Sequence, residues 1–243
     1  MDVYSAILQS RNKKKFALLI DPDSCSAGDL EVRLQRANDA GVDFVFLGGS
    51  LITRKNFDEC VANIRRLSKL PLVLFPGNDS HIHPDADAVL FLSLISGRNP
   101  ELLIGKHVHS APLIRKMGLE SIPTGYMLIE SGRLTTAQYM SGSLPIPHDK
   151  PDVAMATAIA GEMLGLKLIY MDAGSGAEKP VSAAMIRKVR ENIELPLIVG
   201  GGIRTIEAAL DAARAGADII VVGNAIEQNA DLIYDLTEKL HRL

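Results

Sequence analysis

Tryptophan is absent from this chain of 243 residues, and six phenylalanines and five tyrosines are its whole aromatic content. Any core must therefore be largely aliphatic, and with 47% hydrophobic residues there is enough material to build one. Cysteine is scarce too: Cys25 and Cys60 stand apart with no CxxC spacing. That argues against a disulfide framework and points to a reducing, cytoplasmic setting. Basic charge is not in excess, since 26 Lys and Arg face 29 Asp and Glu for a net charge of −3. A broad nucleic-acid-binding face carries the opposite balance, so no nucleic-acid partner is expected. No apolar run reaches the roughly 18 residues that suggest a membrane span. Residues 1–11 are polar and amphipathic rather than a signal peptide. The basic run at 11–15 reads as a solvated helix end, with peripheral attraction to anionic lipid as the alternative.

What is present is a regular alternation. Short aliphatic runs stand at 16–20, 43–47, 72–75, 88–92, 122–129, 168–171, 195–200 and 219–222, and six of the eight close on Gly, Pro or Asp. Such runs, without polar alternation, are what parallel strands buried on both faces look like. Between them, apolar residues recur at helical spacing: Leu30, Leu34 and Ala37, then Phe57, Val61 and Ile64. The pattern predicts helices over 2–11, 27–40, 54–67, 100–116, 153–164 and 181–192, a run after Thr205, and a last one over 225–240. After the third strand the helix is missing or very short, because 79–86 is polar and contains Pro84. Residues 130–150 have no clear periodicity, and an ordered loop of that length is often a functional lid. Eight β/α units within 243 residues predict an α/β fold, a single-domain TIM (β/α)8 barrel spanning residues 1–243.

In such a barrel the active face lies at the carboxyl ends of the strands. Those ends carry Asp21 and Asp23, Gly48 to Ser50, Gly77 and Asn78, Tyr126 and Glu130, Asp172 to Gly176, Gly200 to Gly202, and Gly223 with Asn224. Glycine is used heavily there, while lysine and arginine are nearly lacking. The glycine turns after the seventh and eighth strands match the place where these barrels bind phosphate, with backbone amides at helix starts as donors. Asp21 suits Mg²⁺, which takes one or two protein oxygens plus substrate phosphate oxygens, and Ser50 can add a second. The alternative for Asp21 is a turn residue capping the next helix. Asp172 can take a hydrogen bond or a proton from a substrate hydroxyl, or serve only as a turn residue. His81, His83, His107 and His109 form no HExxH pattern and read as exposed or structural. Met127, Met155, Met163 and Met185 read as core.

Taken together, several segments resemble one family. They are Leu-Ile-Asp-Pro-Asp from Leu19, Gly-Gly-Ser from Gly48, Phe-Pro-Gly-Asn from Phe75 and Gly-Tyr-Met-Leu-Ile from Gly125. Tyr-Met-Asp-Ala-Gly-Ser-Gly from Tyr170, Val-Gly-Gly-Gly-Ile-Arg from Val199 and Val-Val-Gly-Asn from Val221 complete the set. In this order, over essentially the whole chain, they resemble the geranylgeranylglyceryl phosphate synthase family, which includes heptaprenylglyceryl phosphate synthases. The resemblance implies a Mg²⁺-dependent prenyltransferase of ether-lipid biosynthesis. It would join the C3 hydroxyl of sn-glycerol 1-phosphate to a long prenyl diphosphate, with geranylgeranyl diphosphate as the expected donor, and release diphosphate. It would also be a homo-oligomer, a dimer or larger.

Carried over by motif, Asp21 and Ser50 would bind the metal and Asp172 would be catalytic. Tyr170, Met171, Asp172, Ala173, Gly174, Ser175, Gly176, Gly201, Gly202, Gly223 and Asn224 would hold glycerol 1-phosphate. Tyr126 would face the prenyl tail, with Leu128 and residues 95–103 as further groove candidates. Two positions depart from the family pattern. Leu19 stands where many members have lysine, which suggests the second major branch and leaves phosphate charge to be met by other groups. Asp172 stands where many have the longer glutamate. The competing readings are another phosphate-binding barrel enzyme, an isomerase or lyase, or a non-catalytic barrel. Such enzymes usually rely on a catalytic lysine or a paired acid and base at strand ends, which the sequence does not offer.

Overall fold

The computed structural model describes residues 2–9, 13–24, 27–54 and 56–243. Cys25 and part of the 11–15 basic run lie outside the described residues. Eight parallel strands close on themselves in chain order: β1 Lys15–Ile20, β2 Phe44–Leu47, β3 Leu72–Leu74, β4 Ala88–Leu94, β5 Glu120–Leu128, β6 Leu168–Asp172, β7 Leu197–Gly200 and β8 Ile219–Val222. The barrel is sealed where β1 meets β8, with Ala17 opposite Val221.

Because successive strand residues point to opposite faces, the aliphatic runs divide into two packing layers. Ala17, Phe44, Phe46, Val73, Leu90, Ile122, Tyr170 and Val221 fill the inside. Leu18, Val45, Leu74, Val89, Ile169, Met171 and Val199 face the surrounding helices. Those helices are α1 Val3–Gln9, α2 Ala27–Ala40, α3 Phe57–Leu67, α4 Lys106–Met117, α5 Thr136–Ser141, α6 Pro151–Met163, α7 Ala183–Arg190, α8 Ile206–Arg214, α9 Asn224–Gln228 and α10 Leu232–His241.

Helix α1 is a plug. Val3 and Ile7 join the inner layer and close the end of the barrel opposite the strand carboxyl ends. A charged side chain fastens each end of the helix. Glu120, at the start of β5, accepts hydrogen bonds from the amides of Val3 and Tyr4 at 2.6 and 2.8 Å. Lys15, at the start of β1, donates to the carbonyls of Ala6 and Ile7. Carboxylate at the amino end and ammonium at the carboxyl end is the arrangement that the helix dipole favours.

The absence of a helix between β3 and β4 is confirmed, with residues 75–87 forming turns only. Other expectations need correction. The helix predicted over 100–116 begins as a π-helical turn, Glu101–Gly105, before α4. Ser93 Oγ donates to the Leu103 carbonyl within that turn. The last helix is two pieces, because the chain breaks at 229–231. The 130–150 segment contains α5 and is pinned back to β5 where Ile146 exchanges backbone bonds with Leu128 and Glu130. Met127 and Met185 are buried core, but Met163 is 82% exposed at the end of α6 and is not core.

If Lys15 fastens the plug, Lys15→Met should cost about 1.5–3 kcal/mol, the range for hydrogen bonds that involve a charged group. In a chain of this size that lowers the melting temperature by roughly 3–12 °C. A scanning calorimetry trace unchanged from wild type would contradict this role.

Candidate active site

The open end of the barrel has two distinct halves. The first lies at the ends of β6, β7 and β8. Asp172 ends β6 pointing inward and is only 6% exposed. Its Oδ1 accepts from the Gly174 amide at 2.7 Å and its Oδ2 from the Tyr126 hydroxyl at 2.6 Å. Burial raises the Asp172 pKa, and those two bonds pull it partly back. Burial, then the neighbouring Asp172 charge, pushes Tyr126 well above its usual value, so Tyr126 stays a donor.

Around this carboxylate the chain must come close. A Cβ on Gly201 would sit 2.4 Å from Asp172 Oδ1 and 2.5 Å from the Gly174 nitrogen, and its φ of +78° is the left-handed region. Only glycine fits there. Ser175 Oγ donates to Asn224 Oδ1 at 3.2 Å, tying the β6 turn to the β8 turn. Among the described residues, the amides of Ser175, Gly176, Gly201, Gly202, Gly223 and Asn224 donate to no backbone carbonyl. They form a set of donors suited to an anion.

Three expectations change here. Met171 points outward and is completely buried between strands and helices, because alternation along β6 turns inward only Leu168, Tyr170 and Asp172. Its side chain therefore does not face the mouth. The amide of Ala173 is spent on the Gly200 carbonyl, and its methyl group is buried in the outer layer. Gly202 does not open a helix directly, since α8 starts at Ile206 with Thr205 as its cap. Only Gly223 immediately precedes a helix, the short α9. Tyr170 is buried beneath the turns.

The second half lies at the ends of β1 to β4. A cavity of about 310 Å³ opens there, in the slot where the helix after β3 is missing. Ser50, Leu51 and Gly77 border its polar rim; Phe91, Leu94, Leu102 and Ile114 give it apolar walls. Tyr126 and Leu128 line it, and Ala137 and Met140 of the 130–150 segment cover it. Of the stretch 95–103, only Leu102 reaches the cavity. The lip is shaped by close backbone approach: a Cβ on Gly48 would lie 1.8 Å from the Phe75 carbonyl oxygen. Asp21 lies beside Gly49, its carboxyl oxygens 3.1–3.3 Å from where a Cβ would stand. Burial raises the Asp21 pKa, opposed by a hydrogen bond from the Asp23 amide and reinforced by the charges of Asp23 and Glu227. Asp23 itself is committed to the β2–α3 loop, accepting from Thr53 and from the Arg54 amide.

Tyr126 belongs to both halves. Its ring lines the cavity and packs edge-on against Phe75 and Tyr170, at 5.8 and 5.6 Å, while its hydroxyl holds Asp172. Three of the chain's few aromatic residues thus form the floor under the mouth.

The histidines do not gather. His83 approaches Asp58 and Asp85, His109 is exposed, His107 packs edge-on against Phe91, and His81 stacks on Phe57. Sequence reasoning missed His81, His107 and Lys106 as cavity residues. It also missed Arg204, which donates to the Ala177 carbonyl and steadies the β6 turn. Nothing local marks these side chains; loop and helix packing alone bring them to the mouth.

Residues 9–240 match the PcrB family. The chain belongs to the PcrB family. Among the relatives of this PcrB-family chain, the geranylgeranylglyceryl phosphate synthase of Spirosoma linguale is 57% identical over 92% of this chain and 90% of its own. That of Korarchaeum cryptofilum is 40% identical, covering 95% of each. Among solved structures, (S)-3-O-geranylgeranylglyceryl phosphate synthase from Thermoplasma acidophilum, crystallised with its substrate sn-glycerol-1-phosphate, superposes with a TM-score of 0.94 at 33% identity over the full length of both chains. The likeness to an N-acetylmannosamine-6-phosphate 2-epimerase from Clostridium perfringens, at 13% identity and a TM-score of 0.60, reflects the barrel alone.

Removing the Tyr126 hydroxyl deletes a bond that lowers the Asp172 pKa. Tyr126→Phe should therefore move the Asp172 titration upward, read by carboxyl carbon NMR. An unchanged or lowered value would contradict the pairing.

Proposed function

We propose that this chain is a prenyltransferase, a geranylgeranylglyceryl phosphate synthase acting in ether-lipid biosynthesis. It joins the C3 hydroxyl of sn-glycerol 1-phosphate to C1 of a long prenyl diphosphate and releases diphosphate. The observation that carries this reading is the meeting of two unlike half-sites at Tyr126 and Asp172. One offers backbone amides for a small phosphate; the other offers a cavity of about 310 Å³ with apolar walls, suited to hydrocarbon. Relatives with the same name across the chain, and a full-length structural neighbour that binds glycerol 1-phosphate, support it.

In this reading the turns at Ser175–Gly176, Gly201–Gly202 and Gly223–Asn224 anchor the acceptor phosphate and direct its C3 hydroxyl toward Asp172. Each carboxylate oxygen has a lone pair beyond the bond it already accepts. A pKa raised by burial makes Asp172 a stronger base than an ordinary carboxylate. The new C–O bond forms at C1 of the donor as the bond to diphosphate breaks, and the hydroxyl proton passes to Asp172. Tyr126, kept protonated, holds that carboxylate in place. The cover over the cavity keeps water from competing for the allylic carbon.

Magnesium is the expected cofactor. Among the described residues no three His, Cys, Asp or Glu side chains cluster, so a self-sufficient metal cage is not offered. Asp21 and the neighbouring Ser50 nevertheless fit an ion that keeps substrate and water oxygens in its shell. The ion would neutralise the departing diphosphate. Asp21, its pKa raised in a half-buried, acidic neighbourhood, is a carboxylate whose charge a cation would favour.

The test is incubation with Mg²⁺, glycerol 1-phosphate and labelled geranylgeranyl diphosphate, with other chain lengths in parallel. A prenyl ether product is expected, and Asp21→Ala should lower turnover about a hundred-fold or more, in the range of charge-stabilising groups. No ether product at any chain length would refute the function. Full activity in Asp21→Ala, or in the presence of chelator, would refute the metal assignment alone.

A further inference from the structure

A prenyl diphosphate brings a multiply charged head to the rim of an apolar cavity, and burying that charge needs opposite charge nearby. The carboxylate that lines the cavity, Asp79, carries the wrong sign, and so does Asp21 beside Gly49, while β1 presents Leu19 rather than a cation. Among the Lys and Arg residues described, Lys106 alone lines the cavity. It is the first residue of α4, delivered by the π-helical turn that precedes it. It is half-buried beside the 75–87 loop, from which Asn78, Asp79, Ser80 and His81 also line the cavity. Its ammonium takes part in none of the ion pairs formed among the described residues. Burial lowers the His81 pKa; the charge of Asp79 opposes that shift, and the charge of Lys106 is close enough to reinforce it. The glycine turns that suit the acceptor phosphate are not part of this cavity, so a charge at Lys106 serves the other substrate.

We propose that Lys106 is a binding residue for the diphosphate of the prenyl donor, an inference that rests on the prenyl-transfer reading above. From α4 it faces the head group across the lip from Ser50 and Gly77, while Leu102, His107, Ser110 and Ile114 of the same segment accompany the tail. One helical segment thereby sets both the position of the charged head and the direction of the chain. The charge that β1 does not supply comes from a helix three strands away.

The test uses calorimetric titration of the full chain with Mg²⁺ present. The ligands are a non-reactive donor analogue, geranylgeranyl S-thiolodiphosphate, and separately glycerol 1-phosphate. Lys106→Met should weaken the analogue about ten- to a hundred-fold, as expected for loss of a charge-assisted hydrogen bond, and leave glycerol 1-phosphate within about two-fold. Lys106→Arg should recover most of the loss. In turnover, KM for the donor should rise while kcat at saturation stays near wild type. Equal analogue affinity in wild type and Lys106→Met overturns the proposal, as does a parallel loss of both ligands, which would mark a merely structural role. Wild-type protein that neither binds the analogue nor forms product overturns the prenyl-transfer reading itself, an outcome distinct from either.

Discussion

The hydrogen bond between Tyr126 and Asp172 is the contact on which the rest of the site depends. Asp172 is buried, and a buried carboxylate must have its oxygens satisfied. One oxygen is satisfied by the Gly174 amide, which fixes the β6 turn; the other is satisfied by Tyr126, which fixes the wall of the cavity. A single side chain therefore sets the distance between the anion-suited turns and the apolar slot. The close approach of Gly201 to the same carboxylate brings the β7 turn into the arrangement. The Ser175–Asn224 bond brings in the β8 turn.

The cavity exists because the barrel leaves out one helix. In a complete (β/α)8 shell, a helix after β3 would cover the outer faces of β3 and β4. Here the chain crosses that gap in turns, and α4 with the 130–150 cover encloses a slot instead. The opposite end of the barrel is closed by α1, with Glu120 and Lys15 fastening its two ends. The molecule is thus sealed at one end and open at the other, and the openness is concentrated beside β3 and β4.

Much of this was legible in the sequence. The alternation of aliphatic runs and helical spacing gave the eight strands, because strands buried on both faces leave a signature that local composition records. The polar stretch with Pro84 announced the missing helix. The glycine turns were legible because close approach leaves no substitute for glycine, as Gly201 demonstrates. What was not legible depended on which way a side chain points or on packing between distant segments. Met171 lies within the right motif but on the wrong face of β6. Lys106 and His81 sit in a helix and a loop whose local patterns carry no hint of a shared cavity. The π-helical turn before α4 has no periodicity to distinguish it from an ordinary helix start.

The most direct test of this account is a crystal structure of the chain with glycerol 1-phosphate and a non-reactive prenyl diphosphate analogue bound together. The account predicts the tail in the slot between β3, β4 and α4, the acceptor phosphate on the turns of β6 to β8, and the C3 oxygen beside Asp172, about 3–3.5 Å from the donor's C1. A tail lying outside that slot, or a C3 hydroxyl turned away from the Tyr126–Asp172 pair, would contradict it.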